Sequence, residues 1–184
     1  LQKDKLETMR LLIELGSPLP NPSQAIISSI NTRQLPMLDW LLERYHLDLA
    51  HVHNQYGTPV AFDLFEEDVD DDPTFLNELY KRGARINVLD NVESSLLQLV
   101  CGYGMLNTVK WLFRHGVPLQ PQIHGPNLAE IAIRNDDAPM LTWLLRHGVS
   151  ALPSQGGNHH TLLPLATDNS AYDCITVLFK YYSI

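Results

Sequence analysis

The sequence predicts an all-α protein built as a solenoid of stacked helix-turn-helix units. Three observations predict it. One phrase recurs, as Trp111-Leu-Phe-Arg-His-Gly116, Trp143-Leu-Leu-Arg-His-Gly148 and Trp40-Leu-Leu-Glu-Arg-Tyr45. Weaker echoes stand at Leu11-Leu-Ile-Glu-Leu-Gly16, Leu79-Tyr-Lys-Arg-Gly83 and Val177-Leu-Phe-Lys-Tyr-Tyr182, and Gly83 to Gly116 to Gly148 keeps steps of 33 and 32 residues. Within each period a short, mostly apolar helix precedes a longer amphipathic one. A fixed period of this size marks a repeat architecture, in which each unit buries its apolar face on its neighbours.

The units follow in order. Residues 1–19 are a partial unit, with room only for a second helix at about Lys5 to Leu15 before Gly16. Five more follow, at 20–49, 50–87, 88–120, 121–151 and 152–184. In the unit at 50–87, Thr58 is expected to cap the first helix, with Pro59 supplying the preset φ of its first turn. That unit is longer by about five residues, and an acidic stretch fills the place between its helices. Asp70-Asp-Asp-Pro73 reads as a loop, because the charges repel and Pro73 disfavours helix before it. Asp72 is placed to cap the second helix, Thr74 to Lys81. In the unit at 88–120, a polar turn (Asp90-Asn-Val-Glu-Ser94) leads into a helix from Ser95 to Tyr103. Gly104 breaks the chain, and a second helix runs from Leu106 to His115. The first helix is so apolar that it must be buried on most sides, whereas Lys110 and Arg114 put a polar face on the second. Gly116 suits a left-handed cap. The truncated first unit, and a last unit that stops just past its second helix, imply a segment of a longer protein.

These units resemble ankyrin repeats, and the likeness spans essentially the whole chain. Gly57-Thr-Pro-Val60 matches the start of the family phrase and Gly83-Ala84-Arg85-Ile86-Asn87 its end, with looser forms at Ser95-Leu-Leu-Gln-Leu99 and Thr161-Leu-Leu-Pro-Leu-Ala166. Most units lack the Thr-Pro pair, so the repeats are divergent. The resemblance implies an ankyrin-repeat solenoid with short β-hairpin fingers. It further implies a partner held on the concave face, made by the hairpin tips and the exposed side of the inner helices. Carried over position by position, it gives Asn54, Gln55, Gly57, Phe65 and Glu66 in the third unit, then Asn91, Val92, Ser94, Tyr103 and His115 in the fourth. The fifth offers Ile123, His124, Arg134, Asn135 and His147, and the sixth Asn158, His160, Asp168 and Asn169. In the second only Asn31 and Arg33 are assigned. Tyr103 and Arg134 are the expected anchors, since aromatic and Arg side chains dominate interface energetics.

Composition limits the function. The 45% hydrophobic content supports a real core, and 18% charged residues is low for a disordered chain. No apolar run reaches the roughly 18 residues of a membrane span. The formal charge is −8, but Asp63, Glu66, Glu67, Asp68, Asp70, Asp71 and Asp72 supply seven of the 21 carboxylates, leaving 14 acids against 13 bases elsewhere. A local acidic patch without a basic stripe argues against a nucleic-acid surface. Asp70, Asp71 and Asp72 read either as a solvated loop or as an auxiliary docking patch for a basic partner.

Chemistry finds little purchase. The alternating Asp68, Asp70 and Asp72 lack the Gly and the distal Glu of a calcium loop, holding Pro73 and Leu79 instead. His159-His160 sits in a turn, where neighbours rarely share one ion. His115 and His147 lie one helix-packing distance apart, roughly 8–10 Å, and are read as facing the binding side. The three tryptophans read as packing between helices, with a ligand-facing stripe as the other reading. Cys101 falls where the family has a buried Ala, and Cys174 has no evident base beside it. Two cysteines in different repeats suit a reducing, intracellular compartment, cytoplasmic or nuclear. The expectation is a non-enzymatic protein–protein interaction module, monomeric by itself and without cofactor or metal. Its phrasing resembles ankyrin proteins of fungi, amoebae and intracellular bacteria, which implies a microbial scaffold or effector. The second reading is a targeting or regulatory segment of a larger enzyme.

Overall fold

The computed structural model describes residues 2–17, 21–65, 70–120, 126–152 and 161–183, the side chains of residues 2–6 and of Met9 excepted. Its helices are α1 (Gln2–Glu14), α2 (Pro22–Asn31), α3 (Leu35–Tyr45), α4 (Thr74–Lys81), α5 (Leu96–Gly102), α6 (Leu106–Arg114), α7 (Leu128–Arg134), α8 (Ala138–Arg146), α9 (Leu163–Asp168) and α10 (Tyr172–Tyr182). Two 3₁₀ turns lie at Leu49–His51 and Phe62–Leu64. Among the described residues there is no β-sheet. Two isolated antiparallel bridges, His53 with Pro59 and Leu89 with Ser95, close a pair of tight turns.

Helices pair in sequence, α2 with α3, α5 with α6, α7 with α8 and α9 with α10. The pairs then stack, with α5 on α7 on α9 forming an inner row and α8 on α10 continuing an outer row. The cause is the apolar register of the outer helices. Leu38 and Leu41, Leu76 and Leu79, Val109 and Leu112, and Leu141 and Leu144 recur three apart on one face, and all are essentially fully buried. Each buried Leu of this kind is worth about 1.5–3 kcal/mol. The leucine of the recurring phrase is therefore core, and Trp40, Trp111 and Trp143 lie half-buried against it.

Local signals set the boundaries. Gly116 and Gly148 follow α6 and α8 with φ of +84° and +83°, the left-handed cap expected of them. After α3 the same role falls to His46, at φ +50°. Ser95 and Gln98 form a capping box at α5, and Asn127 and Glu130 form another at α7.

The third unit corrects one expectation. Thr58 makes no helix cap, and the helix it was to start is reduced to the 3₁₀ turn at Phe62–Leu64. Phe65 leaves the turn with extended backbone (φ −115°, ψ 114°), which ends the helix there.

Candidate functional site

The site is built from two matching turns and two inner helices. In the first turn, Asn54 Oδ1 accepts the N–H groups of Tyr56 (2.9 Å) and Thr58 (3.1 Å). In the second, Asp90 Oδ1 accepts those of Val92 (2.9 Å) and Ser94 (2.8 Å). Residues 54–58 and 90–94 are thus the same turn one repeat apart, with Gly57 (φ +79°) answered by Glu93 (φ +64°). Each turn lifts one apolar side chain into solvent at the same place, Tyr56 at 68% exposure and Val92 at 72%. Gln55 and Asn91 are exposed beside them.

Behind the second turn, α5 and α7 enclose a cleft of about 400 Å³. Asp90 and Ser94 line it from the turn, Gln98, Leu99, Gly102 and Tyr103 from α5 and its C-cap, and Pro126 and Ile131 from the side of α7. Hydrogen bonds fix the walls to each other. Gln98 Nε2 donates to the Pro126 carbonyl (3.0 Å), and Asn135 Nδ2 donates to the Gly102 carbonyl (2.6 Å). Tyr103 is 38% exposed at the mouth. A partly aromatic concavity with polar groups on one wall can take an inserted side chain.

Of the sequence-derived residues, Ser94 and Tyr103 line this cleft, and Asn135 braces it. Arg134 stands exposed at the end of α7, and Asp168 and Asn169 are exposed at the end of α9. Asn31 and Arg33 are exposed between α2 and α3. Glu66, Ile123, His124, Asn158 and His160 lie outside the described residues.

Other assignments are corrected. Phe65 is 8% exposed and belongs to the core. Asn54 is committed to its turn and, through Nδ2, to Asp63 Oδ1 (2.8 Å). His115 and His147 leave the concave side for the outer row. Each stacks on the tryptophan four residues earlier, with centroids 3.9 Å and 4.0 Å apart, and each Nδ1–H donates to that tryptophan's carbonyl at 2.8 Å.

The acidic loop is recast too. Asp72 is not the N-cap of α4, a place that falls to Pro73 without a side-chain cap; it accepts the N–H and hydroxyl of Thr74, the first helical residue, which holds its carboxyl below the usual range. Asp71 reaches across to the next unit. Its carboxylate accepts the N–H of Asn107 (2.6 Å), the N–H of Thr108 (2.9 Å) and the Thr108 hydroxyl (2.9 Å), capping α6. Asp136 repeats the device for α10, accepting from Cys174 N–H (2.9 Å) and Asp173 N–H (3.4 Å). The N-cap residues of those two helices, Met105 and Ala171, supply no side-chain cap. Asp71 and Asp72 are therefore joints of the scaffold. Asp70 alone of the three is left exposed without such a bond.

Tyr56, Gln98, Leu99 and Ile131 were not singled out from the sequence, although aligning 54–58 with 90–94 puts Tyr56 opposite Val92. Asp63 lies under the first turn, where burial raises its pKa despite the Asn54 bond, and its Oδ2 has no hydrogen-bond partner. Burial pushes both thiols up to about 12, with Asp137 adding at Cys101 and Asp136 at Cys174, so at neutral pH both are thiols and poor nucleophiles. Among the described residues no three His, Cys, Asp or Glu side chains converge as a metal ion would need. Among them, too, no helix is long and apolar enough to cross a membrane. No protein-family model matches this chain, and no curated protein matches it in sequence.

Proposed function

We propose that this chain is a non-enzymatic recognition module of the ankyrin-repeat type, which holds a protein or peptide segment against its turns and inner helices. The observation that carries the reading is the cleft between α5 and α7, with Tyr103 at its mouth and an exposed apolar tip, Val92, beside it. A partner side chain enters over Leu99 and Ile131, and the exposed tips at Val92 and, one repeat earlier, Tyr56 extend the contact surface to one side of it. The carboxylate of Asp90 on the cleft wall favours a partner that brings a cationic or hydrogen-bond-donating group.

The test is affinity capture followed by titration of the captured protein against cleft variants. Tyr103→Ala and Ile131→Asp are each expected to weaken binding at least tenfold, about 1.4 kcal/mol, as an anchor in a central pocket does. Arg134→Ala is expected to weaken it less. Charge reversal at Asp70 probes loop docking without disturbing the helix caps. Unchanged affinity for Tyr103→Ala and Ile131→Asp, with the melting temperature preserved, would overturn the assignment.

A further inference from the structure

The outer row carries a ladder of rings that stops one step short. Tyr80 stands edge-on to Trp111 (5.8 Å) and His115 (5.2 Å) of the next helix. Phe113, at the same place in its own helix, stands edge-on to Trp143 (5.6 Å) and His147 (5.4 Å). At the following step the place belongs to Leu145, and Val177 and Tyr181 stand where the tryptophan and histidine were. A branched aliphatic chain cannot fill the space of a ring. What remains between α8 and α10 is a groove of about 460 Å³, lined by Thr142, Leu145, Arg146, Val177, Lys180 and Tyr181.

The groove has an apolar floor and a cationic rim. Leu145 is buried at its base, and Tyr181 is 44% exposed along one side. Arg146 and Lys180, from the last turns of α8 and α10, are both exposed. Neither joins any ion pair among the described residues. In a chain of net charge −8, two neighbouring cations beside an open apolar floor select for negative charge flanking an apolar group.

We propose that this groove is a second docking site, for an acidic peptide segment that carries an aromatic side chain. The ring enters over Leu145 between Val177 and Tyr181, taking the part that Phe113 plays one step earlier. Carboxylates on either side of it pair with Arg146 and Lys180. A peptide is favoured over a small amphiphile because the space is the vacancy of a side chain borne on a backbone, open along its length. The site lies on the outer helices and is independent of the cleft between α5 and α7.

The experiment is fluorescence anisotropy with a labelled Glu-Glu-Phe-Glu-Glu peptide on the whole chain. Binding is expected to weaken as salt rises, and to fall at least tenfold when the Phe of the peptide is replaced by Ala. Leu145→Phe, which fills the groove from within, and the surface pair Arg146→Glu with Lys180→Glu are each expected to lower affinity at least tenfold. Tyr103→Ala should leave it unchanged. The reversal pair is solvent-exposed, so the test stands even if Leu145→Phe disturbs packing. No binding at millimolar concentration would overturn the proposal. So would equal binding of the Ala peptide, indifference to the charge reversal, or phenylpropionate binding as tightly as the peptide.

Discussion

Replacing Asp136 tests whether the stack is pinned by carboxylates that reach from one unit to the next. Asp136 sits at φ +49° and accepts the Cys174 and Asp173 N–H groups at the start of α10. Loss of a capping acceptor costs about 1 kcal/mol. Alanine at a left-handed position adds roughly 1–2 kcal/mol. Asp136→Ala should therefore cost about 2–3 kcal/mol, or roughly 5–10 °C in melting temperature for a chain of this size. Asp136→Asn keeps an acceptor and tolerates the backbone, losing only the charge–dipole contribution of about 0.3–1 kcal/mol. Asp136→Gly loses the cap but relaxes the backbone, so it falls between the two. Urea unfolding gives the ranking, and amide hydrogen exchange at Cys174 locates it, since a repeat stack can open at one end. Alanine and asparagine variants within about 0.5 kcal/mol of the parent, with Cys174 protection intact, would refute the cap.

Four further outcomes are expected. Asp71→Ala should destabilise by about 1–2 kcal/mol, read by urea unfolding, with lost amide protection at Asn107 and Thr108. Phe113→Leu should cost about 0.5–1.5 kcal/mol by removing edge-on ring contacts and should shift the Trp143 emission. Asp63→Asn should stabilise the protein near neutral pH. Burial raises the Asp63 pKa in the folded state, so ionisation is penalised above that pKa and the penalty vanishes as pH falls below the unfolded value; the gain should shrink in the same direction in a pH series of melting curves. Cys101 and Cys174 should resist iodoacetamide in the folded chain and both react in urea, because the two thiols are buried and hold their protons far above neutral pH.

What was legible in the sequence was whatever a short window decides. The period, the glycine caps and the bounds of α4 follow from spacing and local backbone preference, and α5 and α6 differ from expectation by a residue or two at their ends. The capping boxes at Ser95–Gln98 and Asn127–Glu130 were also within reach, being four-residue signals. So was the pairing of His115 with Trp111, four residues apart on one helix face. The caps from Asp71 and Asp136 were not, because they join residues about a full repeat apart and exist only once the units are stacked. Phe65 was misjudged for a related reason. Acidic residues follow it in sequence, but its side chain is buried as part of the apolar core.

The distribution of those carboxylate bridges has a mechanical consequence. One bridge fastens α6 to the unit before it and another fastens α10, but at the intervening step the corresponding place is Gly104, and α8 is capped by its own Asp137 (Met140 N–H, 2.9 Å). The fourth and fifth units are joined instead by ring contacts and neutral amide bonds, which yield under tilt at lower cost than a carboxylate seated on a helix end. The cleft lies at that same junction. A stack strained from its two ends would bend there first, so the joint that is easiest to flex is also the one that carries the cleft.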